Sequence, residues 1–547
     1  MAKIVFVYPN MYSYLAISHS LGILSALLKE NGHQTDLVHL HGELGLTIKK
    51  DDEASSYQKV FEALMEKKPD LIGITATSFE YEVMNNLAAY VKEQGVNVPI
   101  VLGGAHPTFC PEDYRTSNFD AFCVGEGELA MLELCKRMDD KSYLNGNGFD
   151  LKKLFSNNPS WLNKSVYPDA IPDPIPLTDV IEDMDSIPLV DRSLFDFDTV
   201  MKSRNGWVDI VTGRGCPFPC TFCCNHVFSK VFKKSKNKNR GHRQRSVESV
   251  MRELEDLHQQ YPEIKIVFFQ EDFLNYNRQW MMDFCAEYKK RISIPFYMCA
   301  RPGSIDMEMA KALKEASCFE VSLGIETGSD FIRNKIFKKG ISDESIYTAT
   351  SSLREYGINV FANIMLGAPH ESYETLNQSV KMMAEVNPAL IRVTILQPLR
   401  GTDVHNYVKE NNLFLTDFSN VQSLFAKSSL KFEDFNELEL QRFRNTLGWR
   451  INIMMNNAGS RTYKELLKAI EMVDLEKWTD IEFNKTLVKL DEEISNNMME
   501  LGIKHYRYFN GEQEMSELEY VKRFKLCVPT VIAVASKIQR SLQAEAI

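Results

Sequence analysis

The strongest constraint on the fold is a regular alternation of short apolar strands and helices over the first 140 residues. The segment Lys3–Pro9 (KIVFVYP) is typical of a strand, and Ser18–Asn31 is typical of a helix that ends at Gly32. Further strands are predicted at TDLVHL, LIGITAT, IVLGG and AFCVG, with helices over Ala54–Lys67, Tyr81–Gly95 and Glu126–Met138. Short apolar strands separated by helices predict a parallel sheet covered on both faces, which binds ligands beyond the carboxyl ends of its strands.

A second alternating series follows a segment that lacks periodicity. Residues 141–195 are rich in Pro and Asp, which predicts a linker. The strands predicted after it are Val208–Thr212, Lys265–Gln270, Phe296–Ala300, Phe319–Glu326, Asn359–Gly367 and Ile391–Pro398. Six β/α units of this length predict an open or partial (β/α)6 barrel over residues 196–430, with function at the carboxyl ends of its strands. Apolar residues at helical spacing predict a helical C-terminal domain over residues 431–547, interpreted as a packing or lid domain.

Composition narrows the setting of the chain. The eleven cysteines are an odd number, and the N-terminus MAKIVFVYPN lacks the apolar core of a signal peptide. No stretch has the roughly eighteen consecutive apolar residues of a transmembrane segment. We therefore expect a cytoplasmic protein with free thiols or metal ligands.

Charge argues weakly against nucleic acid as a partner. The net charge is −11, and no nucleic-acid partner is expected. The stretch Lys230–Arg245 carries eight Lys and Arg residues but only one aromatic residue, Phe232. We interpret it as a solvated loop. The alternatives are steering of an anionic substrate, contact with RNA, or contact of its arginines with a carboxylate.

The richest chemical signal is the segment Thr212–His226 (TGRGCPFPCTFCCNH), which holds four cysteines within nine residues. The spacing Cys216-x3-Cys220-x2-Cys223 can hold three irons of a cubane iron–sulfur cluster and leave the fourth iron open to a ligand. A tetrahedral zinc site is the alternative, with Cys224 or His226 as the fourth ligand.

This spacing resembles the signature of the radical S-adenosylmethionine (SAM) superfamily. The resemblance continues, in the family's order, through Phe268–Asn275 (FFQEDFLN), Cys299–Asp306 (CARPGSID), Leu323–Gly340 (LGIETGSDFIRNKIFKKG) and Ile364–Ser372 (IMLGAPHES). It implies a [4Fe–4S] cluster on Cys216, Cys220 and Cys223, SAM at the open iron, and an external low-potential electron donor of flavodoxin or ferredoxin type. It also implies that Gln270 and Glu271 lie near the SAM amino group and that Glu326 accepts hydrogen bonds from the ribose. The full set of implied SAM-binding residues is Gln270, Glu271, Arg301, Glu326 and Gly367.

Residues 100–128 resemble the cobalamin-binding domain that precedes many radical SAM enzymes, which implies a Rossmann-like cobalamin-binding domain over residues 1–140. The matching pieces are GGAHPT, from Gly103, and GEGE, from Gly125. In ISHSLG, His19 and Gly22 match the family's axial-histidine spacing, although Ile17 replaces the aspartate that fixes such a histidine. His19 is therefore interpreted either as the lower cobalt ligand or as a pocket-lining histidine. The implied cobalamin-binding residues are His19, Gly22, Gly103, Gly104, His106, Gly125 and Glu126.

The combined resemblance is to cobalamin-binding radical SAM enzymes of the class B methyltransferase type. It implies methylation of an unactivated carbon of an unidentified small-molecule or peptide substrate, through methylcobalamin and a 5′-deoxyadenosyl radical. Three alternatives stay open: redox or cyclisation chemistry without methyl transfer, a methylthiotransferase with a second cluster on Cys110, Cys123 and Cys135, and a non-catalytic cobalamin sensor. The sequence assigns no catalytic side chain.

Overall fold

The computed structural model describes residues 1–10, 14–49, 52–145, 148–235, 242–271, 273–415, 427–456 and 459–508. The chain divides into two compact units. The first comprises Met1–Ile294 and Leu399–Asn406, and the second comprises Pro295–Pro398 and the chain from Tyr407 onward. No helix within the described ranges is long and apolar enough to cross a membrane.

The first unit begins with the predicted parallel sheet. Its strands are β1 (Lys3–Pro9), β2 (Gln34–Leu40), β3 (Leu71–Thr75), β4 (Ile100–Gly103), β5 (Ala121–Cys123) and β6 (Trp161–Leu162). The strand order is β2-β1-β3-β4-β5-β6, and all pairs are parallel except β5 with β6. The chain therefore changes direction across the sheet between β1 and β3, which is where a doubly wound sheet opens its ligand crevice.

Helices cover this sheet, and the first of them shows how the sequence sets their ends. The helices in this part of the chain are α1 (His19–Glu30), α2 (Glu53–Glu66), α3 (Tyr81–Glu93), α4 (Ala105–Phe109), α5 (Glu128–Asp139), α6 (Leu151–Phe155) and α7 (Phe197–Ser203). The Ser18 hydroxyl caps α1 by accepting a hydrogen bond from the Leu21 N–H. Gly32 follows the helix at φ 85°, a conformation that glycine adopts at low cost. Within residues 141–195, Trp161 and Leu162 add an antiparallel strand to the sheet, so this segment also contributes to the first unit.

The remainder of the first unit carries the cysteine loop, residues 215–223, which holds Cys216, Cys220 and Cys223. Its elements are β7 (Trp207–Ile210), β8 (Gly213–Arg214), α8 (Cys224–Lys234), β9 (Arg243–Gln244), α9 (Val247–Gln260), β10 (Ile266–Phe269) and α10 (Arg278–Arg291). Strands β7 and β10 pair in parallel, whereas β8 and β9 form a short antiparallel ladder.

The second unit contains four parallel strands in the order β14-β13-β12-β11 and a helical C-terminal part, as the sequence predicts. Its first elements are β11 (Phe296–Ala300), α11 (Met307–Glu315), β12 (Cys318–Glu326), α12 (Asp343–Glu355), β13 (Asn359–Leu366), α13 (Tyr373–Val386) and β14 (Leu390–Ile395). After β14 come α14 (Asp403–Glu410), α15 (Glu437–Asn445), α16 (Leu447–Met454), α17 (Ser460–Glu471) and α18 (Ile481–Glu500). The side chains of Trp449, Tyr463 and Trp478 are buried in a common apolar cluster of this helical part.

Short helical turns complete the description. They lie at Gly42–Leu44, Pro111–Arg115, Lys141–Tyr143, Met184–Ser186, Arg192–Leu194, Pro302–Ser304, Leu475–Thr479 and, as a π-helix, Ile332–Ile336.

Candidate active site

The cysteine loop connects β8 to α8. Gly215 at φ 85° turns the chain out of β8, and Cys223 is the N-cap residue of α8, with its N–H donating to the Cys220 carbonyl at 3.1 Å. Cys220 is buried, Cys216 and Cys223 are half-buried, and Cys224 is exposed at the start of α8. The loop thus offers three sheltered thiols next to one exposed thiol, a donor set that suits a cluster needing three protein thiolates.

His226 is the residue that the zinc alternative needs most. Its Nε2 atom lies 3.2 Å from an Asp403 carboxylate oxygen, and Lys230 contacts the other oxygen of the same carboxylate. A carboxylate contact at one ring nitrogen is also common at metal-binding histidines, so the three sheltered thiols, and not His226, favour the cluster.

A cavity of about 440 Å³ lies within the first unit. On one side it is lined by the carboxyl-terminal region of the first sheet, and on the other by the chain around the cysteine loop. The first side includes His19, Thr75, Gly103, Gly104, Gly125, Glu126 and Glu128, and the second side includes Gly213, Arg214, Gly215, Phe228, His242, Gln270 and Glu271. Five of the seven predicted cobalamin-binding residues therefore share one cavity with two of the predicted SAM-binding residues.

Two consecutive glycines shape the cavity in different ways. Gly104 adopts φ 92° and ψ −161°, and an added Cβ would lie 2.7 Å from the Ala76 carbonyl oxygen. At Gly103, an added Cβ would come no closer than 4.0 Å to any neighbouring atom, so a side chain there would fill the cavity instead. Gly103 therefore keeps the space open for a bulky ligand, and Gly104 allows the backbone turn beside it.

His19 starts α1 at the edge of the cavity. Its Nε2 atom lies 3.1 Å from the Asp209 carbonyl oxygen. Burial lowers the pKa of His19, although the charge of Asp209 acts in the opposite direction. A hydrogen bond from Nε2 to this carbonyl fixes the ring and leaves Nδ1 as the nitrogen available to a metal, which is the arrangement that metal-binding histidines use.

Gly22 and His106, the other two predicted cobalamin-binding residues, lie away from the cavity lining. An added Cβ on Gly22 would meet Val190 at 2.5 Å, so this glycine allows close packing of the segment before α7. The His106 ring stacks on Tyr81 with centroids 3.7 Å apart, and its Nε2 atom lies 3.3 Å from Asp113.

Gln270 and Glu271 follow β10 at the cavity. The Glu271 carboxylate accepts a hydrogen bond from the Thr212 N–H, which directly precedes β8. Burial raises the pKa of Glu271 to about 7. This carboxyl group therefore joins the end of β10 to the start of the cysteine loop and has a second oxygen without a hydrogen bond among the described residues.

The other predicted SAM-binding residues belong to the second unit. Glu326 ends β12 at φ 69°, and its carboxylate lies 2.7 Å from the Lys339 ammonium group. Arg301 follows β11 and donates to the Gly340 carbonyl at 3.2 Å. The Gly367 N–H donates to Glu371, whose pKa is raised to about 7 by burial.

The two glutamates of the GEGE segment bind arginines. Glu128 lies 2.6 Å from Arg214, and Glu126 contacts both Arg214, at 3.5 Å, and Arg243. Arg243 lies in the basic stretch Lys230–Arg245, whereas Arg214 was not singled out from the sequence, because its pairing with Glu128 spans 86 residues. The only sequence signal was the position of Arg214 two residues before Cys216.

Two other sets of residues from the sequence can now be placed. Cys110, Cys123 and Cys135 are all buried, and burial raises the pKa of each thiol to about 12. Burial therefore favours the neutral thiol at each of the three positions. In the basic stretch, residues 236–241 lie outside the described residues, and the side chains that form ion pairs are Lys230, Lys234, Arg243 and Arg245.

Comparison with known proteins assigns the chain. The Radical SAM superfamily matches residues 210–383, and the B12 binding domain matches residues 13–135. An uncharacterized methyltransferase of Pyrococcus horikoshii is 30% identical over 368 residues, which cover 66% of this chain and 74% of the relative. The chain belongs to the radical SAM enzymes with a cobalamin-binding domain. This radical SAM enzyme therefore uses a [4Fe–4S] cluster, SAM and cobalamin, as the sequence predicts.

Solved structures confirm the fold of this radical SAM enzyme. The cobalamin-dependent radical enzyme OxsB, with aqua-cobalamin and SAM bound, matches with a TM-score of 0.62 and 17% identity, covering 100% of this chain and 80% of OxsB. The radical SAM methyltransferase TsrM from Kitasatospora setae matches with a TM-score of 0.57 and 18% identity, covering 75% and 76% of the two chains. Among the curated relatives, the anaerobic magnesium-protoporphyrin IX monomethyl ester cyclase of Rubrivivax gelatinosus is 25% identical over 421 residues, or 74% of this chain and 69% of the cyclase.

Proposed function

We propose that this enzyme methylates an unactivated carbon of a small-molecule or peptide substrate. The observation that carries the proposal is the cavity of the first unit, which the glycine-rich strand ends and the chain around the cysteine loop line together. Methyl transfer to carbon requires the methyl donor and the reacting carbon to meet in one enclosed space. The methyltransferase relative of Pyrococcus horikoshii supports the same assignment.

The residues fit the family's cofactors. When bound, the cluster and SAM supply a radical that removes a substrate hydrogen, and cobalamin supplies the methyl group. Cys216, Cys220 and Cys223 would hold the cluster, and Gly103 would leave room for cobalamin beside β4. Glu271 would accept a hydrogen bond from SAM with its remaining oxygen, because its other oxygen is held by the Thr212 N–H.

The cavity wall also protects the chemistry. Its apolar members include Phe6, Ile74, Val101, Met131, Trp161, Phe228 and Phe273. Such a lining shelters a reactive species from solvent and from side reactions.

Cyclisation without methyl transfer is the second candidate. It is favoured by the Rubrivivax gelatinosus cyclase, which matches 74% of this chain with 25% identity. Both candidates use the same cofactors, so only the products separate them.

The test is an anaerobic assay on protein reconstituted with iron, sulfide and hydroxocobalamin. SAM and a chemical low-potential reductant are added, and 5′-deoxyadenosine and S-adenosylhomocysteine are quantified by mass spectrometry. Methylation predicts both products, with S-adenosylhomocysteine dependent on cobalamin. 5′-Deoxyadenosine without S-adenosylhomocysteine would contradict methylation and favour cyclisation.

Two variants connect this assay to the geometry. Cys216→Ala is expected to abolish 5′-deoxyadenosine formation. Gly103→Leu, whose side chain would project into the cavity, is expected to lower S-adenosylhomocysteine formation and retain 5′-deoxyadenosine formation.

A further inference from the structure

The GEGE segment and the chain before the cysteine loop are joined by a network of four charged side chains. Arg214 on β8 and Arg243 on β9 are directly opposed in the antiparallel ladder. Arg214 contacts Glu128 at 2.6 Å and Glu126 at 3.5 Å, and Arg243 contacts Glu126. Arg243 also donates to the Ile181 carbonyl at 2.5 Å, which fixes the ladder to the segment before β7.

The network is sheltered from water and balanced in charge. The side chains of Glu128 and Arg243 are 6% and 8% exposed, and those of Glu126 and Arg214 are 13% and 18% exposed. Two arginines face two glutamates, so the group has no net charge. Burial by itself would raise the pKa of Glu128, but the charges of Arg214 and Arg243 and the hydrogen bonds to the carboxylate together outweigh it, and the pKa lies below its ordinary value. Removing one partner leaves the other as an uncompensated, sheltered charge, which is costly. The four side chains are therefore held in their paired arrangement.

The two ends of the network belong to two different binding regions. Glu126 lies between Gly125 and Gly127, both of which line the cavity on the side of the first sheet. Arg214 lies one residue before Gly215 and two residues before Cys216. A displacement of the GEGE segment therefore pulls on the chain that carries the first cysteine of the cluster motif.

We propose that Glu126, Glu128, Arg214 and Arg243 are positioning residues that couple cobalamin binding to the cysteine loop. Cobalamin held by the glycine segment fixes the glutamates, the glutamates fix the arginines, and the arginines fix the start of the loop. Coupling of this kind is reciprocal, so the cluster in turn tightens cobalamin binding by the same factor. The proposal rests on the family's cofactors and not on methyl transfer, so the binding test below is independent of the reaction product.

The test measures hydroxocobalamin affinity by anaerobic equilibrium dialysis, on full-length protein with and without the reconstituted cluster. Allosteric coupling typically changes a binding affinity about 5- to 150-fold. We therefore expect the cluster to tighten hydroxocobalamin binding at least about fivefold in the unaltered protein. Glu128→Gln and Arg214→Lys should bring the ratio to about one. Arg214→Lys keeps the positive charge and loses the two-pronged geometry, so it tests position and not charge.

Asp120→Asn is the matched control. Asp120 precedes the same strand, β5, that the GEGE segment follows, and its side chain pairs with Lys92 at 2.5 Å with 12% exposure. It lies at the opposite end of that strand and does not line the cavity. This variant should lose stability but retain the cluster-dependent ratio.

A second measurement needs no variant. In cluster-free protein, hydroxocobalamin should slow the alkylation of Cys216, Cys220 and Cys223, followed by peptide mass spectrometry. The proposal is overturned if cobalamin affinity is the same with and without the cluster, if Arg214→Lys retains the full ratio, or if Asp120→Asn loses it. It is also overturned if hydroxocobalamin leaves the alkylation of the three cysteines unchanged.

Discussion

The adjacent glycines at the end of β4 predict opposite effects of adding a side chain. Gly104→Ala should destabilise the protein. The backbone at φ 92° and ψ −161° is accessible almost only to glycine, which costs another residue about 1–3 kcal/mol. The added Cβ also lies 2.7 Å from backbone and side-chain oxygens of Ala76 and Thr75, which adds about 1–3 kcal/mol of overpacking. The expected loss is therefore about 2–6 kcal/mol.

Gly103→Ala should have no such cost. Its Cβ would come no closer than 4.0 Å to the nearest neighbouring atom, and alanine in a strand is about 0.5–1 kcal/mol more favourable than glycine. Gly103→Leu should also fold, but its side chain projects into the cavity. We expect cobalamin affinity to fall about 5- to 150-fold, from about 1–3 kcal/mol of overpacking against the ligand.

The assay has two parts. Urea unfolding of cofactor-free protein, followed by circular dichroism, measures stability, and anaerobic dialysis of hydroxocobalamin measures affinity. Gly103→Ala is the control for Gly104→Ala, and it is also the small-residue control for Gly103→Leu. A Gly104→Ala protein as stable as the unaltered protein, or a Gly103→Leu protein with unchanged cobalamin affinity, would refute the assignment of these two roles.

Three further predictions follow from other sites. Alanine at Cys216, Cys220 or Cys223 should remove the cluster's visible absorption and all SAM cleavage, whereas Cys224→Ala should retain both. If Cys224→Ala lost both and one of the other three variants retained them, Cys224 would replace that cysteine as a cluster ligand. For Glu371, the folded state keeps a proton between pH 4.5 and about 7 that the unfolded state has lost, so stability should fall as pH rises through that range. The full effect is about 3 kcal/mol of unfolding free energy. Glu371→Gln should remove that part of the pH dependence. The same change of unfolding free energy with pH in the variant and in the unaltered protein would contradict the raised pKa of the buried carboxyl group. Arg333→Met should cost about 2–6 kcal/mol in the same unfolding assay, because fully buried Arg333 donates to the Thr327 and Ile341 carbonyls at 2.9 Å and each carbonyl left unpaired costs about 1–3 kcal/mol. A loss below about 1 kcal/mol would show that these groups find other partners.

The sequence predicted the strands well because their apolar runs are continuous and bounded by helix signals. Strands β1 and β11 begin and end at the predicted residues, and the other predicted strands differ by a few residues at their ends. The two-residue strands β6, β8 and β9 were not predicted, because the alternation of apolar and polar residues that indicates a strand cannot be recognised over two residues. Helix α4 was also missed, since it has five residues and includes Pro107.

The candidate site was predictable wherever the chemistry lies in one short motif. Three cysteines at fixed spacing indicate a cluster or a zinc site, the family resemblance favours the cluster, and the positions of Gln270 and Glu271 follow from the end of a predicted strand. Side-chain partnerships between distant segments have no local signature. Thus Glu126 was expected to face cobalamin, but the structure also pairs it with Arg214 and Arg243, while His106 of the GGAHPT segment stacks on Tyr81.

The short ladder formed by β8 and β9 has a consequence for engineering. The cobalamin-binding match ends at residue 135, yet two of the glutamates in that region have their cationic partners at positions 214 and 243. A cobalamin-binding region transplanted alone into another enzyme would carry sheltered anions without their counterions. A functional chimera should therefore exchange the region together with β8 and β9, because these parts are separated along the chain but form one charge-balanced unit.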